Sequence, residues 1–243
     1  MKNKKILIYA LIAVVVIAVL AVAFFAGGDM PEENQPTPPV QSTVTPTPEP
    51  DEVIQNEGSA EPGDIDWSES QGMEIDPETG KDEYGTDPVP EGMPAPVNPD
   101  EVVESDVQYS CTISISCATL LDNMDLLDSD KHELIPADGV ILPTITASFT
   151  EGEDVFSLLH RVCMENKIHL EFSEDPIYSS AYVEGMHNLY EFDAGELSGW
   201  YYSANGWFPN YGSSRYALKD GDVIEWHYSC EMGHDIEGYE DSY

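Results

Sequence analysis

The stretch Glu151–Lys167, EGEDVFSLLHRVCMENK, decides the fold. Val155, Leu158, Leu159, Val162 and Cys163 fall at i, i+3, i+4, i+7 and i+8, the apolar stripe of an amphipathic helix of about three turns. Glu153 and Asp154 stand at its start, where negative charge favours the positive end of the helix dipole. It is the single long helix expected after residue 107, so its stripe has to be buried against a sheet.

The flanking segments supply that sheet. YSCTISISCATLL alternates, with Cys111, Ile113, Ile115 and Cys117 on one face and Thr112, Ser114 and Ser116 on the other, a half-buried strand. DGVILPTITASFT reads as a second strand, with Pro143 at its beginning or on a sheet edge. After the helix, Ile168, Leu170 and Phe172 alternate again. Two more strands are expected in the aromatic region, and ALKDGDVIEWHYSC closes with a turn and a strand carrying Ile224, Trp226, Tyr228 and Cys230. Two strands, one helix, then further strands with a long excursion before the last is the order of a β-grasp fold, an α+β two-layer domain with one main helix on a mixed sheet. It is expected over residues 107–232, with its first and last strands parallel, followed by a flexible acidic tail over 233–243.

Upstream the chain changes character. Residues 1–5, MKNKK, are expected to be a cytoplasmic tail, because basic residues flank the inner side of a span. Ile6 to Ala26 is an uncharged apolar run of 21 residues, enough for a transmembrane helix across roughly 30 Å of hydrocarbon. Its length favours an uncleaved signal anchor over a cleaved signal peptide. The expected location is therefore the cell membrane, single-pass, with the rest of the chain extracellular. Residues 27–106 hold 14 of the 18 prolines and 22 acidic residues against one Lys, a composition that predicts a disordered, extended linker.

The formal net charge is -38, and beyond the apolar run six basic residues face 47 acidic ones. Such a field excludes nucleic acid and anionic lipid surfaces as partners. Cys111, Cys117, Cys163 and Cys230 all lie in the expected folded domain. In an exported protein they predict a disulfide, with at least one bond among Cys117, Cys163 and Cys230. No CxxC pair or other metal-ligand spacing occurs, and no HExxH, GxSxG or phosphate-loop motif is present, so neither a metal site, a catalytic cofactor nor an enzyme is expected.

The stretch Gly199–Tyr216, GWYYSANGWFPNYGSSRY, raises a different question, since seven of its eighteen residues carry rings. Asn205-Gly206 suits a tight hairpin turn. Rings alternate onto both faces, more than one core requires, so Trp207, Tyr211 and Tyr216 are expected at the surface. A rigid aromatic loop with small polar residues is a recognition surface. The candidate ligand-binding residues are Trp200, Tyr202, Asn205, Trp207, Phe208, Asn210, Tyr211 and Tyr216.

LSGWYYSANGWFPNYG followed by SRYALKDGDVIEWHYSC resembles the transcobalamin-like carboxy-terminal domain family, DUF4430, of bacterial envelope proteins. ISCATLLDNMDLLD, VFSLLHRVCMENKIHLEF and HNLYEF fit the same family, so the resemblance runs from about Tyr109 to Cys230. It implies a β-grasp domain of the ligand-binding type, with cobalamin or another corrinoid as a ligand and not as a catalytic cofactor, and with a separate helical partner completing the site. The alternative expectation is a structural or adhesive envelope protein whose rings bind glycan or protein.

Overall fold

The computed structural model describes residues 63–102 and 105–239. The expected cytoplasmic tail, membrane span, linker residues 27–62 and residues 240–243 lie outside them. Among the described residues no helix is long and apolar enough to cross a membrane.

The protein is α+β. Its strands are β1 (Gln108–Ser116), β2 (Val140–Thr150), β3 (Leu170–Asp175), β4 (Ser180–Met186), β5 (Leu189–Tyr190), β6 (Gly199–Ala204) and β7 (Val223–Ser229). Among the described residues two α-helices, α1 (Ile65–Ser70) and α2 (Val155–Asn166), accompany them, with short 3-10 turns between. The main sheet has the order β2-β1-β7-β6, and a smaller one has the order β3-β4-β5. At its centre β1 and β7 run parallel, with Ile113 opposite Ile224 and Ile115 opposite Trp226. The β1–β2 and β6–β7 pairs are antiparallel, so the sheet is mixed. Pro143 sits in β2, an edge strand, at the register shift between Leu142 and Ile145, where it has no partner in β1.

Helix α2 begins at Asp154, whose carboxylate accepts the Ser157 N–H at 2.8 Å and its hydroxyl at 2.7 Å. It ends at Lys167, which takes the left-handed conformation with φ 57°. Val155, Leu158, Leu159, Val162 and Cys163 are all buried, as the stripe predicts. Each of the four aliphatic side chains contributes about 1.5–3 kcal/mol by leaving water. They meet Cys111, Ile113, Ile115, Phe149, Ile224 and Trp226 from the sheet.

The structure departs from expectation in four places. The aromatic hairpin has one strand, β6, and its return is reduced to a single bridge between Ala204 and Trp207. Pro209 cannot donate to a ladder there, and the chain leaves the sheet at once.

The expected disordered linker, residues 27–106, is structured over residues 63–102. Residues 63–102 form a strap of one short helix and successive turns that packs on the main core through Trp67, Val89, Met93 and Ala95. Val89 is 0% exposed. Composition averaged over 80 residues hides these few apolar anchors, and both turn bonds, such as Asp64 N–H to Val89 O at 2.9 Å, and side chains pair the strap's backbone. The Asp82 carboxylate accepts the N–H groups of Tyr84 and Thr86, and the Ser68 hydroxyl accepts that of Val89.

The tail, expected to be flexible over 233–243, is folded back onto the domain over 233–239. Asp235 accepts a hydrogen bond from the Ser229 hydroxyl and another from the Cys230 N–H at 2.8 Å, turning the chain back. Ile236 and Tyr239 then pack with Phe208 and Tyr201.

The expected disulfide is absent, and all four cysteines are free and buried. Cys117 and Cys230 serve as small apolar side chains in one cluster, with Leu120, Leu189 and Tyr228. Cys163 lies in the main core. Burial pushes the thiols of Cys117 and Cys230 up to about 11 and that of Cys163 up to about 12.

Candidate functional site

The aromatic loop is held by a turn and a hydrogen-bonded frame. Asn205 and Gly206 both have positive φ, 56° and 80°, the geometry of a tight two-residue hairpin. The Asn205 amide donates to Asp222 Oδ1 at 2.8 Å, and its oxygen accepts the Val223 N–H at 2.9 Å. Asn205 therefore ties the loop to the start of β7. Further along, a Cβ on Gly212 would stand 1.9 Å from Ser180 Oγ, so only glycine lets the loop pass β4 this closely.

The predicted site residues divide between the two faces of the main sheet. Phe208 is buried on the face away from α2, with its ring 5.1 Å from Tyr239 and 5.9 Å from His227. On the face shared with α2 lie Tyr202, Trp207, Tyr211 and Tyr216, all in or against the main core. The Tyr202 hydroxyl donates to Tyr211 O at 2.9 Å, and its ring lies 5.5 Å from Trp226. The Tyr211 ring stacks on Tyr216 at 6.4 Å and meets Trp207 edge-on at 5.9 Å. Trp200 donates its indole N–H to Leu189 O at 3.0 Å and packs on Tyr228, bridging the two core clusters.

Of the three rings expected at the surface, Tyr211 and Tyr216 are buried, at 7% and 2% exposed, and Trp207 is half-buried. For Tyr211 the strap contributes, since its hydroxyl meets Pro94 O, while Tyr216 is flanked by the rings of Tyr202 and Tyr211. Helix α2 is only 12 residues long, and strap residues pack on the same core. The surplus of rings is taken up by packing among the rings themselves and, at Tyr211, by the chain's own preceding segment. Burial raises the phenol pKa of both Tyr211 and Tyr216, so both stay neutral donors.

The strap grips the loop through polar contacts as well. The Tyr211 hydroxyl donates to Pro94 O at 2.8 Å, and the Asn210 amide donates to Asp87 O at 3.1 Å. The centre of the grip is Arg215, which sequence reasoning missed. Its guanidinium donates to Asp82 Oδ2 at 2.6 Å, to the Thr86 hydroxyl at 2.7 Å and to Val97 O at 3.3 Å. The Tyr84 ring covers it, with its centroid at 4.5 Å. Val97 N–H returns a bond to Arg215 O at 2.9 Å. The signal available in the sequence was a lone cation inside an aromatic loop of a very acidic chain, which calls for a carboxylate partner.

Among the described residues three side-chain polar atoms are buried without a hydrogen-bond partner, the Trp207 indole N–H and the Asn210 amide oxygen in the loop and the Trp226 indole N–H in β7. Such orphaned groups are few in native structures and call for an explanation. A cleft of about 1010 Å³ opens between the strap and Arg215, lined by Glu74, Asp82, Tyr84, Asn98 and Glu101 among others. A second cavity, about 470 Å³, lies on the other sheet face against Ser116, Ser203, Glu225, His227 and Asp235. Among the described residues no group of three or more His, Cys, Asp or Glu is placed to hold a metal ion.

Residues 152–230 match a family described as a domain of unknown function, DUF4430. Nothing among curated proteins matches. Among solved structures, haptocorrin in complex with Cbi is similar at 13% identity and a TM-score of 0.38, over 53% of this chain and 27% of that chain. A protein from Ruminococcus gnavus ATCC 29149, described as a candidate metal binder, is similar at 15% identity and a TM-score of 0.30. That match covers 50% of this chain and 96% of the other. The chain thus spans less than a third of haptocorrin's length.

Proposed function

Taking residues 152–230 as a DUF4430 domain, we propose that the protein is a membrane-anchored extracellular binding module, a β-grasp head without enzymatic activity. Its ligand is a flat, amide-bearing small molecule of the corrinoid type, taken up at the aromatic loop. The observation that carries this is the orphaned pair in that loop, a donor at Trp207 and an acceptor at Asn210. A primary amide carries both an acceptor and donors, the kinds of group these two atoms call for, and the Tyr211 ring, edge-on to Trp207 at 5.9 Å, adds flat apolar area beside them. The acidic cleft beside Arg215 offers further acceptors for amide N–H groups.

Titration of the full chain in detergent micelles with cobalamin, followed by tryptophan fluorescence and visible absorbance, tests the reading. A saturable change is expected, weakened about tenfold or more in Trp207→Phe, which keeps a ring and loses the donor. No saturable change up to tens of micromolar overturns the corrinoid assignment.

A second reading, contact with an envelope glycan or protein, draws on the open face of the main sheet. There Ser110 and Thr112 of β1 stand opposite Ser148 and Thr146 of β2, forming a hydroxyl-bearing surface. A glycan-array or pull-down signal with no cobalamin response favours it.

A further inference from the structure

We propose that strap residues 82–97 are a displaceable plug, seated where an external ligand would bind, and that the site opens by release of the strap while the head stays folded. This rests on the reading of the aromatic loop as a binding site.

Three observations point to it. First, the strap contacts the same residues the loop would present. Asn210, Tyr211 and Arg215 all spend hydrogen bonds on strap groups, at Asp87, Pro94, and Asp82, Thr86 and Val97. Second, the fit is incomplete. The Asn210 amide nitrogen has its strap partner while its oxygen and the Trp207 N–H have none, so the resident segment satisfies only part of what the loop offers.

Third, the strap has little structure of its own to hold it. Within the strap, residues 82–97 are turns and irregular backbone, with no helix and no strand in either sheet. Its attachment is concentrated in Val89, Trp67 and Met93 on the apolar side and in the Arg215 latch on the polar side. The head is held by the four-stranded ladder and the α2 stripe. Segments with few buried apolar contacts and no ladder open at lower free energy than core strands. An external ligand that satisfies both Trp207 and Asn210 therefore competes with the strap for one surface, and its binding is weakened by the fraction of time the strap is seated.

Hydrogen exchange of the full chain in detergent micelles tests this without reference to any ligand. The Val97 N–H, which bonds Arg215 O, is expected to exchange at least about a hundredfold faster than the N–H groups of the β1–β7 ladder. Asp82→Asn keeps the acceptor for the Tyr84 and Thr86 N–H groups and removes the charge facing Arg215. It is expected to speed strap exchange about tenfold or more and to leave the ladder unchanged. Tyr211→Phe, which deletes only the bond to Pro94 O, should act in the same direction with smaller effect.

Equal exchange rates in strap and ladder, or equal acceleration of both in the two variants, overturns the plug and makes the strap an inseparable part of one cooperative unit. If strap exchange is selectively fast and cobalamin still fails to bind even to Asp82→Asn, the plug stands and the corrinoid assignment falls.

Discussion

Arg215 Nη2 stands 2.6 Å from Asp82 Oδ2 across 133 residues of sequence, and the two side chains are 4% and 6% exposed. A pair this buried is costly to break on one side, because the survivor is left charged without a partner. Arg215→Met is expected to lose roughly 3–5 kcal/mol of stability, or the whole docking free energy of the strap where that is smaller. The double variant Arg215→Met with Asp82→Leu should lose less than the single one. Chemical denaturation of the three proteins checks this, and additive losses would show that the pair is not coupled.

The Tyr211 hydroxyl reaches only a backbone carbonyl of the strap, Pro94 O, from a ring that is itself buried. Tyr211→Phe removes that donor with little change of shape. A loss of about 1 kcal/mol is expected by thermal denaturation, since a backbone acceptor is left unpaired beneath the strap. A neutral result would mean that the carbonyl reaches water at no cost.

What the sequence made legible follows from periodicity. The α2 stripe and the alternating faces of β1 were readable because each buries a regular set of residues, and the parallel pairing of β1 with β7 followed from the order of elements, which is that of a β-grasp. β4 and β5 were not, since SAYVEGM and the pair Leu189–Tyr190 are too short and too mixed to alternate clearly, and pairing with β3 defines them. The strap was illegible for a deeper reason. Its order comes from single anchors such as Val89 and from Arg215 more than a hundred residues away, and no local window contains both halves of such a contact. The same blindness misplaced the rings. Counting them showed a surplus, and only the tertiary structure showed what covers it.

The thiols give a chemical prediction. Cys163, buried on the α2 stripe, has its thiol pushed up to about 12, and Cys117 and Cys230 are pushed up to about 11 by burial first of all. The thiolate is the reactive form, so folded protein should resist iodoacetamide at pH 8 for hours. After denaturation without reductant all four cysteines should alkylate, as mass spectrometry can count. Two or fewer labelled sites would indicate a bond absent from this structure.

Gly233 holds the returning tail. Its φ is 95°, and a Cβ there would lie 2.4 Å from the Tyr239 ring. Gly233→Ala therefore meets both backbone strain and a ring it cannot pass. It is expected to free residues 234–239, expose Phe208 and cost about 1–3 kcal/mol. Proteolysis within the tail should rise, while protection of the β1–β7 ladder should remain; an unaltered tail would show that the ring moves aside freely.

His227 should make stability depend on pH in the mildly acidic range. It lies on β7 opposite Ser116 and Tyr201, with the Phe208 ring 5.9 Å away and Glu225, Asp235 and Glu237 around the same cavity. Burial lowers its pKa below the usual 6.5, and the Glu225 charge offsets part of that. In the unfolded chain the imidazole takes up a proton near pH 6.5, while the folded protein resists doing so until lower pH, so the unfolded state binds more protons in between. Stability from this group is thus fully present above about pH 6.5 and declines as the pH falls through the folded-state value. His227→Gln removes the titration and should flatten the curve between about pH 6.5 and 5, above the range where ordinary carboxylates protonate. A decline of unchanged slope in His227→Gln would assign the pH dependence to another group.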